Sequence, residues 1–124
     1  MKKCLVAVFL FVAWMGVNTT SAWAQEIEWT RQFGTSSLDD AFRISVDASG
    51  VYVAGFTGGT FPGQTSAGVL DAFVRKYDLN GNEVWTRQFG IFGDDQALGI
   101  SVDASGVYVA GRTEGTLPGQ TSAG

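Results

Sequence analysis

The sequence has no histidine, one cysteine and two prolines among its 124 residues. Without histidine it lacks the commonest general base, and with Cys4 as the sole thiol it lacks a soft-metal ligand set. Serine catalysis would then require a lysine base, and Lys76 stands alone in a strand-like run. We therefore expect that this segment is not an enzyme and that it has no catalytic residue, cofactor or metal site.

Basic residues are scarce as well, with 8 Lys and Arg against 12 Asp and Glu, for a formal net charge of −4. They are dispersed along the chain except for the adjacent pairs Lys2-Lys3 and Arg75-Lys76. Nucleic acids and anionic membrane surfaces bind basic patches, so this balance argues against both as partners.

The first 24 residues have the three parts of a secretory signal peptide. Met1-Lys2-Lys3 is basic, Cys4 to Val17 is apolar, and Ala22-Trp23-Ala24 offers a small-residue cleavage site. The apolar run is shorter than the roughly 20 residues of a membrane-spanning helix. We predict a signal peptide over residues 1–24, cleavage after Ala24 rather than an uncleaved anchor, and export to the periplasm or beyond. The mature chain would contain no cysteine and would not insert into a membrane.

The remaining residues, 25–124, contain a direct repeat. The eleven residues from Ser45 to Gly55 return unchanged from Ser101 to Gly111, an offset of 56 residues. Residues 29–68 and 85–124 align without a gap and share 30 of 40 positions. The repeat unit therefore covers residues 29–84, and a shorter second unit covers residues 85–124.

Short runs rich in Val, Ile, Tyr, Phe and Trp, separated by glycine, indicate an all-β fold. The predicted strands are residues 26–33, 42–46, 51–56, 71–77 and 83–89. Turns are predicted at residues 47–50 and at 78–82, where Asn80-Gly81 is a strong hairpin signal. The run from Val51 to Gly55 is apolar on both faces, which suits a sheet packed between two others. Each unit thus supplies four strands in two hairpins.

Four short strands cannot bury two apolar faces alone, so the repeat predicts a β-propeller-type blade of four antiparallel strands that stacks on its neighbours. An open solenoid or a sandwich is the alternative. The run DAFVRKYDLNGNEVWTRQFG, followed by DD, ISVDASGVYVAG and a Gly/Thr-rich loop, resembles the bacterial β-propeller repeat of the SBBP type and, more loosely, the NHL repeat.

The resemblance implies a blade with residues 41–46 innermost, 51–56 second, 71–77 third and 83–89 outermost, followed by residues 97–102 and 107–112 as the first two strands of a second blade. The chain then holds about one and a half blades of an incomplete propeller, and Trp29 to Phe33 is an orphan outermost strand. We expect an exported, non-catalytic binding or structural module at the cell surface or in the periplasm, seen as a fragment, with a protein or glycan as ligand. The alternative is part of a propeller enzyme whose active site lies on other blades.

Four features of the sequence invite a chemical interpretation. Asp78, Asn80 and Asn82 have the spacing of calcium-loop ligands, but Gly81 and the absence of the final glutamate favour a hairpin turn. Among Asp39-Asp40 and Asp94-Asp95, only Asp39 and Asp95 are equivalent in the repeat, which favours loop capping or a contact between blades. Trp29, Trp85, Phe33 and Phe89 could stack on sugars, but core packing is favoured. The loops at 57–70 and 113–124 could cradle an anion but lack a P-loop lysine, so a surface role is favoured.

Open edges predict poor stability in isolation. Phe42, Ile44 and the run from Val51 to Val53 are expected to lack part of their packing partners, and residues 107–112 are expected to form an edge strand. Exposed apolar edges promote pairing with other chains. We expect the mature chain, expressed alone, to self-associate through these edges and to be poorly folded, oligomeric or aggregated.

Overall fold

A computed structural model describes residues 3–11 and 25–122 of the chain. These residues form eight strands: β1 (Cys4–Phe11), β2 (Gln25–Phe33), β3 (Asp39–Asp47), β4 (Gly50–Thr57), β5 (Asp71–Tyr77), β6 (Glu83–Phe89), β7 (Gln96–Asp103) and β8 (Gly106–Arg112). No helix occurs within the described ranges, and the all-β prediction is confirmed. In the same ranges, no helix has the length and apolar character to span a membrane.

The strands form three antiparallel sheets that match the predicted blade pattern. The central sheet has the order β3-β4-β5-β6, and it is flanked by the two-stranded sheets β1-β2 and β7-β8. The tight turn between β3 and β4 joins Asp47 to Gly50, and the turn after β5 contains Gly81 in the left-handed region at a φ of 79°. Both predicted hairpins are therefore present.

Strand β4 is buried along its whole length, because β3 and β5 pair with its two edges while the flanking sheets cover its two faces. Val51 and Val53 face a core shared with β1 and β2, where they meet Phe73. Ala54 faces a second core, where it meets Ala97 of β7. The prediction that this apolar run lies between two sheets is correct.

Two expectations about packing are corrected. Val51, Tyr52 and Val53 are 1%, 5% and 2% exposed, so they have their packing partners, whereas Ile44 on β3 is 52% exposed. Strand β2 is not an orphan, because β1 pairs with it from Cys4↔Phe33 to Phe11↔Gln25. The apolar part of the predicted signal peptide thus supplies a strand, while the predicted cleavage site at Ala24 lies outside the described residues.

Candidate functional site

Polar side chains gather at two ends of the stack. At one end, three buried aspartates precede or begin strands: Asp39 at β3, Asp71 at β5 and Asp95 just before β7. We call this the loop end, because residues 58–70 and 113–122 also lie there. At the other end are the turns that join β3 to β4 and β7 to β8, and we call it the turn end.

Asp39 fastens a loop to the end of a strand. Its carboxylate accepts hydrogen bonds from the Thr35 N–H at 2.6 Å, from the Thr35 hydroxyl at 3.1 and 3.2 Å, and from the Thr57 hydroxyl at 2.5 Å. The side chain is fully buried. A buried carboxylate must have such partners to remain stable, and these bonds match the predicted loop-capping role.

Asp95 occupies the equivalent repeat position but has fewer partners. Its Oδ2 accepts the Ile91 N–H at 2.7 Å, while Oδ1 is buried without a hydrogen-bond partner among the described residues. Ile91 stands where the first unit has Thr35, so one donating hydroxyl is missing. Thr113, the equivalent of Thr57, donates to the Gly115 carbonyl instead. The second unit has therefore kept the aspartate but not the hydroxyl hydrogen bonds to it, since Thr35 is replaced by Ile91 and Thr113 bonds elsewhere.

Asp71 belongs to a network that holds the long loop against the sheet. Its carboxylate accepts from the Ala67 N–H at 3.1 Å and from Gln88 Nε2 at 2.8 Å. Gln88 also donates to the Gly59 carbonyl at 2.8 Å and accepts the Phe61 N–H at 3.0 Å. The sequence analysis did not single out Gln88, although it recurs as Gln32 in the repeated WTRQFG block.

Two of these carboxylates approach each other at Gly90. A Cβ atom on Gly90 would lie 2.6 Å from Asp95 Oδ2 and 2.7 Å from Asp71 Oδ1. Beside them is a cavity of 170 Å³ whose lining includes Ala72, Phe89 and Val109. It is smaller than the roughly 300 Å³ of the smallest ordinary ligand pockets. Across residues 3–11 and 25–122, no three His, Cys, Asp or Glu side chains are placed to hold a metal.

The turn end has a larger groove between two equivalent turns. In the first turn, the Asp47 carboxylate accepts from the Ser49 N–H and hydroxyl, both at 2.7 Å. In the second, Asp103 accepts from the Ser105 N–H at 2.8 Å and hydroxyl at 2.6 Å. These hydrogen bonds, led by the serine hydroxyls, lower the pKa of both aspartates.

The space between these turns, which we call the inter-turn groove, has a volume of 490 Å³. Its lining includes both Asp-Ala-Ser triplets, Tyr52 and Val107. Lys76 extends along the turn end, where Nζ donates to Ser49 Oγ at 3.0 Å and lies 5.0 Å from the centre of the Tyr52 ring. The groove thus combines carboxylates and hydroxyls with an apolar floor.

The triplet Asp78, Asn80 and Asn82 forms a turn. The Asp78 carboxylate accepts from the backbone N–H groups of Asn80 and Asn82 and from Asn82 Nδ2, at 2.8 to 2.9 Å. These bonds, with that from the Asn82 side chain foremost, lower the pKa of Asp78. The carboxylate oxygens are used by the turn itself, in agreement with the favoured hairpin interpretation.

The recurring aromatic residues divide into buried and exposed positions. Trp29 is buried and donates from Nε1 to the Leu79 carbonyl at 3.0 Å. Phe33 packs edge-on against Phe73, and Arg75 lies over it with the guanidinium carbon 4.2 Å from the ring centre. Phe89 is 44% exposed and Trp85 is half-buried. Core packing therefore describes Trp29 and Phe33 better than their repeat equivalents, Trp85 and Phe89.

Arg75 is a buried cation that the sequence analysis overlooked. It is 6% exposed, donates to the Thr86 hydroxyl at 2.7 Å and pairs with Glu83 at 3.3 Å. Its neighbour across the core, Cys4, has its pKa raised to about 12 by burial, with the nearby Asp39 and Asp40 charges adding to the effect. A thiol in that state is a poor nucleophile. An arginine inside the apolar run DAFVRKY was the signal that could have identified the buried cation.

No family model matches the chain. A segment of 55 residues, 44% of the chain, is 40% identical to part of the regulatory protein FlaEY of Caulobacter vibrioides. The matching segment is about as long as the 56-residue repeat unit, and it spans 6% of the length of that relative.

Proposed function

We propose that this protein is an exported, non-catalytic repeat protein of the β-propeller type that acts as a binding module at the cell surface or in the periplasm. The inter-turn groove is the observation that supports this proposal best. Its volume falls in the range of roughly 300 to 1,000 Å³ that is usual for ligand sites.

The chemistry of the groove favours a ligand rich in hydroxyl or amide groups. Its two carboxylates are already bonded to the turns, so Asp47 and Asp103 are fixed in place and retain lone pairs for a donor. The Tyr52 hydroxyl, which also lines the groove, bonds Ser49 Oγ at 2.8 Å and retains a lone pair that can accept from a ligand. A glycan or a polar protein segment offers the matching groups.

The resemblance to SBBP-type repeats supports the scaffold part of the proposal. The similarity to a stretch of FlaEY supports it in another way, because a segment of repeat length there forms a small part of a longer chain. A repeat unit that can be placed within different proteins behaves as a module.

The binding proposal is tested with variants that fill the groove. Ala48→Arg and Ala104→Arg place a long side chain at its lining while leaving the turn-forming aspartates intact. Thr65→Arg, on the exposed loop at the other end, is the matched control. On a glycan array and in capture of surface proteins, the two groove variants should lose any ligand that the parent and the control retain. Binding that survives both groove variants would contradict the proposed site.

The export proposal is tested by intact-mass measurement of the secreted or periplasmic protein. A chain beginning at Gln25 is expected, because the signal peptide should be cleaved after Ala24. Recovery of a cytoplasmic chain that starts at Met1 would contradict export.

A further inference from the structure

The sheet formed by β1 and β2 repeats the outer half of the central sheet. In β1-β2, Cys4 pairs with Phe33 and Val8 with Trp29, and the register then shifts between Val8 and Phe9. In β5-β6, Ala72 pairs with Phe89 and Lys76 with Trp85, and the register shifts between Lys76 and Tyr77. Phe33 and Trp29 are the repeat equivalents of Phe89 and Trp85, so β1 occupies the position of a third strand in the same register and with the same irregularity.

The sheet formed by β7 and β8 repeats the inner half. Asp103 pairs with Gly106 and Ala97 with Gly111, with a shift between Ala97 and Gly99. The equivalent pairs and the equivalent shift occur in β3-β4, between Ala41 and Arg43. One side of the molecule therefore presents strands three and four of a sheet, and the other side presents strands one and two.

The faces of these half-sheets agree with this assignment. Cys4 and Val6 of β1 are buried against the central sheet. Their equivalents on β5, Ala72 and Val74, are buried against β7 and β8. Strands β1 and β5 thus direct equivalent residues toward the next sheet along the chain, which is the central sheet for β1 and the β7-β8 sheet for β5.

The outer edge of β8 is where a third strand would add. The first six residues of β8, Gly-Val-Tyr-Val-Ala-Gly, are identical to the first six of β4, which pairs with β5 on this edge. In the described part of the chain, β8 has β7 as its sole sheet partner. Tyr108 and Val109 are accordingly 54% and 39% exposed, whereas Tyr52 and Val53 are 5% and 2% exposed.

We propose that two copies of the chain that retains residues 1–24 share a sheet, in which the β1-β2 hairpin of one copy adds to β8 of the other. The composite order, β7-β8-β1-β2, reproduces β3-β4-β5-β6. Strand directions are compatible, because a third strand runs antiparallel to the second. The observed pairs Val53↔Arg75 and Phe56↔Ala72 set the register, which places Ala7 of one copy opposite Val109 of the other.

The contact is heterologous, since each copy uses two different surfaces. It therefore repeats head to tail and gives a ring when the rotation closes, or an open filament when it does not. The apolar groups that it covers include Leu5, which is 64% exposed, and Tyr108. The proposal goes beyond the groove described above, and removal of the signal peptide would abolish the contact by removing β1.

Disulfide trapping tests the register in the full-length chain. In a Cys4→Ala background, Ala7→Cys and Val109→Cys are introduced together, and the chain is oxidised under non-reducing conditions. The two cysteines lie on sheets at opposite sides of one molecule, so a bond between them joins two copies. We expect crosslinked dimers and larger oligomers. Ala7→Cys with Ala110→Cys is the control, because the adjacent strand position points to the opposite face and gives no crosslink.

Sedimentation of the parent chain and of a chain of residues 25–124 provides the second measurement. We expect the parent to form discrete oligomers in a concentration-dependent way. The shorter chain should lose these discrete species and form only the irregular aggregates that its exposed edges predict, with circular dichroism reporting whether each chain is folded. A parent that stays monomeric, equal crosslinking of the two cysteine pairs, or no crosslinking of either would overturn the proposal. Crosslinking does not require the shorter chain to fold, so it decides the question in either case.

Discussion

Replacing Ile91 with threonine should stabilise the protein. In the first repeat unit, the Thr35 hydroxyl donates to the buried Asp39 carboxylate, whereas in the second unit Asp95 Oδ1 lacks a partner among the described residues. Ile91 is the repeat equivalent of Thr35, and its own N–H already bonds Asp95 Oδ2 at 2.7 Å. A threonine hydroxyl at that position would therefore reach the unpartnered oxygen.

The expected change in the free energy of unfolding is the sum of two opposing contributions. A hydrogen bond to a charged group contributes roughly 1.5–3 kcal/mol to the free energy of unfolding. Shortening the half-buried Ile91 by one methyl group costs about 0.5–1.5 kcal/mol, as for Ile→Val. The net gain over the parent is then about 1 kcal/mol, which corresponds to a rise of roughly 4 °C in Tm.

Ile91→Val separates the two terms, because valine has the shape of threonine without the hydroxyl. In urea unfolding at neutral pH, Ile91→Thr should exceed Ile91→Val by about 2 kcal/mol, with equal m-values. If the two variants unfold at the same urea concentration, the Asp95 oxygen already has a partner and the reasoning fails. A change in m-value would indicate altered compactness instead of a new hydrogen bond.

Three further predictions concern a turn, the core and pH. Gly81→Ala should lose about 1–3 kcal/mol more stability than Gly63→Ala in urea unfolding. Both glycines have positive φ, but only at Gly81 would a Cβ contact an aromatic ring, that of Trp29, at 2.6 Å. Equal losses in the two variants would disprove the clash. Phe73→Ala should cost about 3–5 kcal/mol, against less than about 0.5 kcal/mol for the 87% exposed Phe92→Ala, and a similar small loss for both would contradict the core assignment. The pKa of Asp103 is lower in the folded than in the unfolded chain, so its contribution to stability is present above the unfolded pKa and is lost as pH falls through the folded pKa, below 3.8. Asp103→Asn should therefore lose less stability than the parent when unfolding is measured from pH 7 to 2. An acid profile identical to that of the parent would count against this assignment.

Most strands could be predicted because their signals are local. Residues 71–77 and 83–89 were predicted with the bounds that β5 and β6 have, since Asn80-Gly81 fixes the hairpin between them. The burial of β4 followed from an apolar run with no polar face. The repeat then transferred each assignment to the second unit.

Strand β1 could not be predicted, because its pairing is not local. The basic start, the apolar run and the small residues near Ala24 are typical of a signal peptide, and nothing in Cys4–Phe11 itself identifies Phe33 as a partner. Pairing depends on the free edge of β2, which is visible only once the sheets are assembled. Under the proposed cleavage after Ala24, β1 would belong to the chain only before that cleavage.

The candidate site was predictable only where the signal lies in the sequence repeat, and not where it depends on contacts between distant segments. Asp39 and Asp95 were identified from their equivalent positions, and the expected capping role matches the bonds that Asp39 makes. The unequal surroundings of Asp95 depend on Ile91 and Thr113, whose contacts arise from the packing of a loop against a neighbouring sheet. The change from Thr35 to Ile91 is visible in the sequence, but its consequence for Asp95 Oδ1 depends on the contacts of the folded chain.

The identity of β4 and β8 also bears on how the chain finds its fold. Over their first six residues both strands offer the same side chains and the same backbone edge to β5, so local complementarity distinguishes them only at Phe56, where β8 has Arg112. Chain connectivity gives only a weak preference, because the entropy of closing a loop grows slowly with its length. During refolding, β5 can therefore dock on either strand, and the chains in which β8 wins must undo that pairing before β7 can pack on the central sheet. A protein whose repeats share identical strand segments carries this competition until those segments diverge.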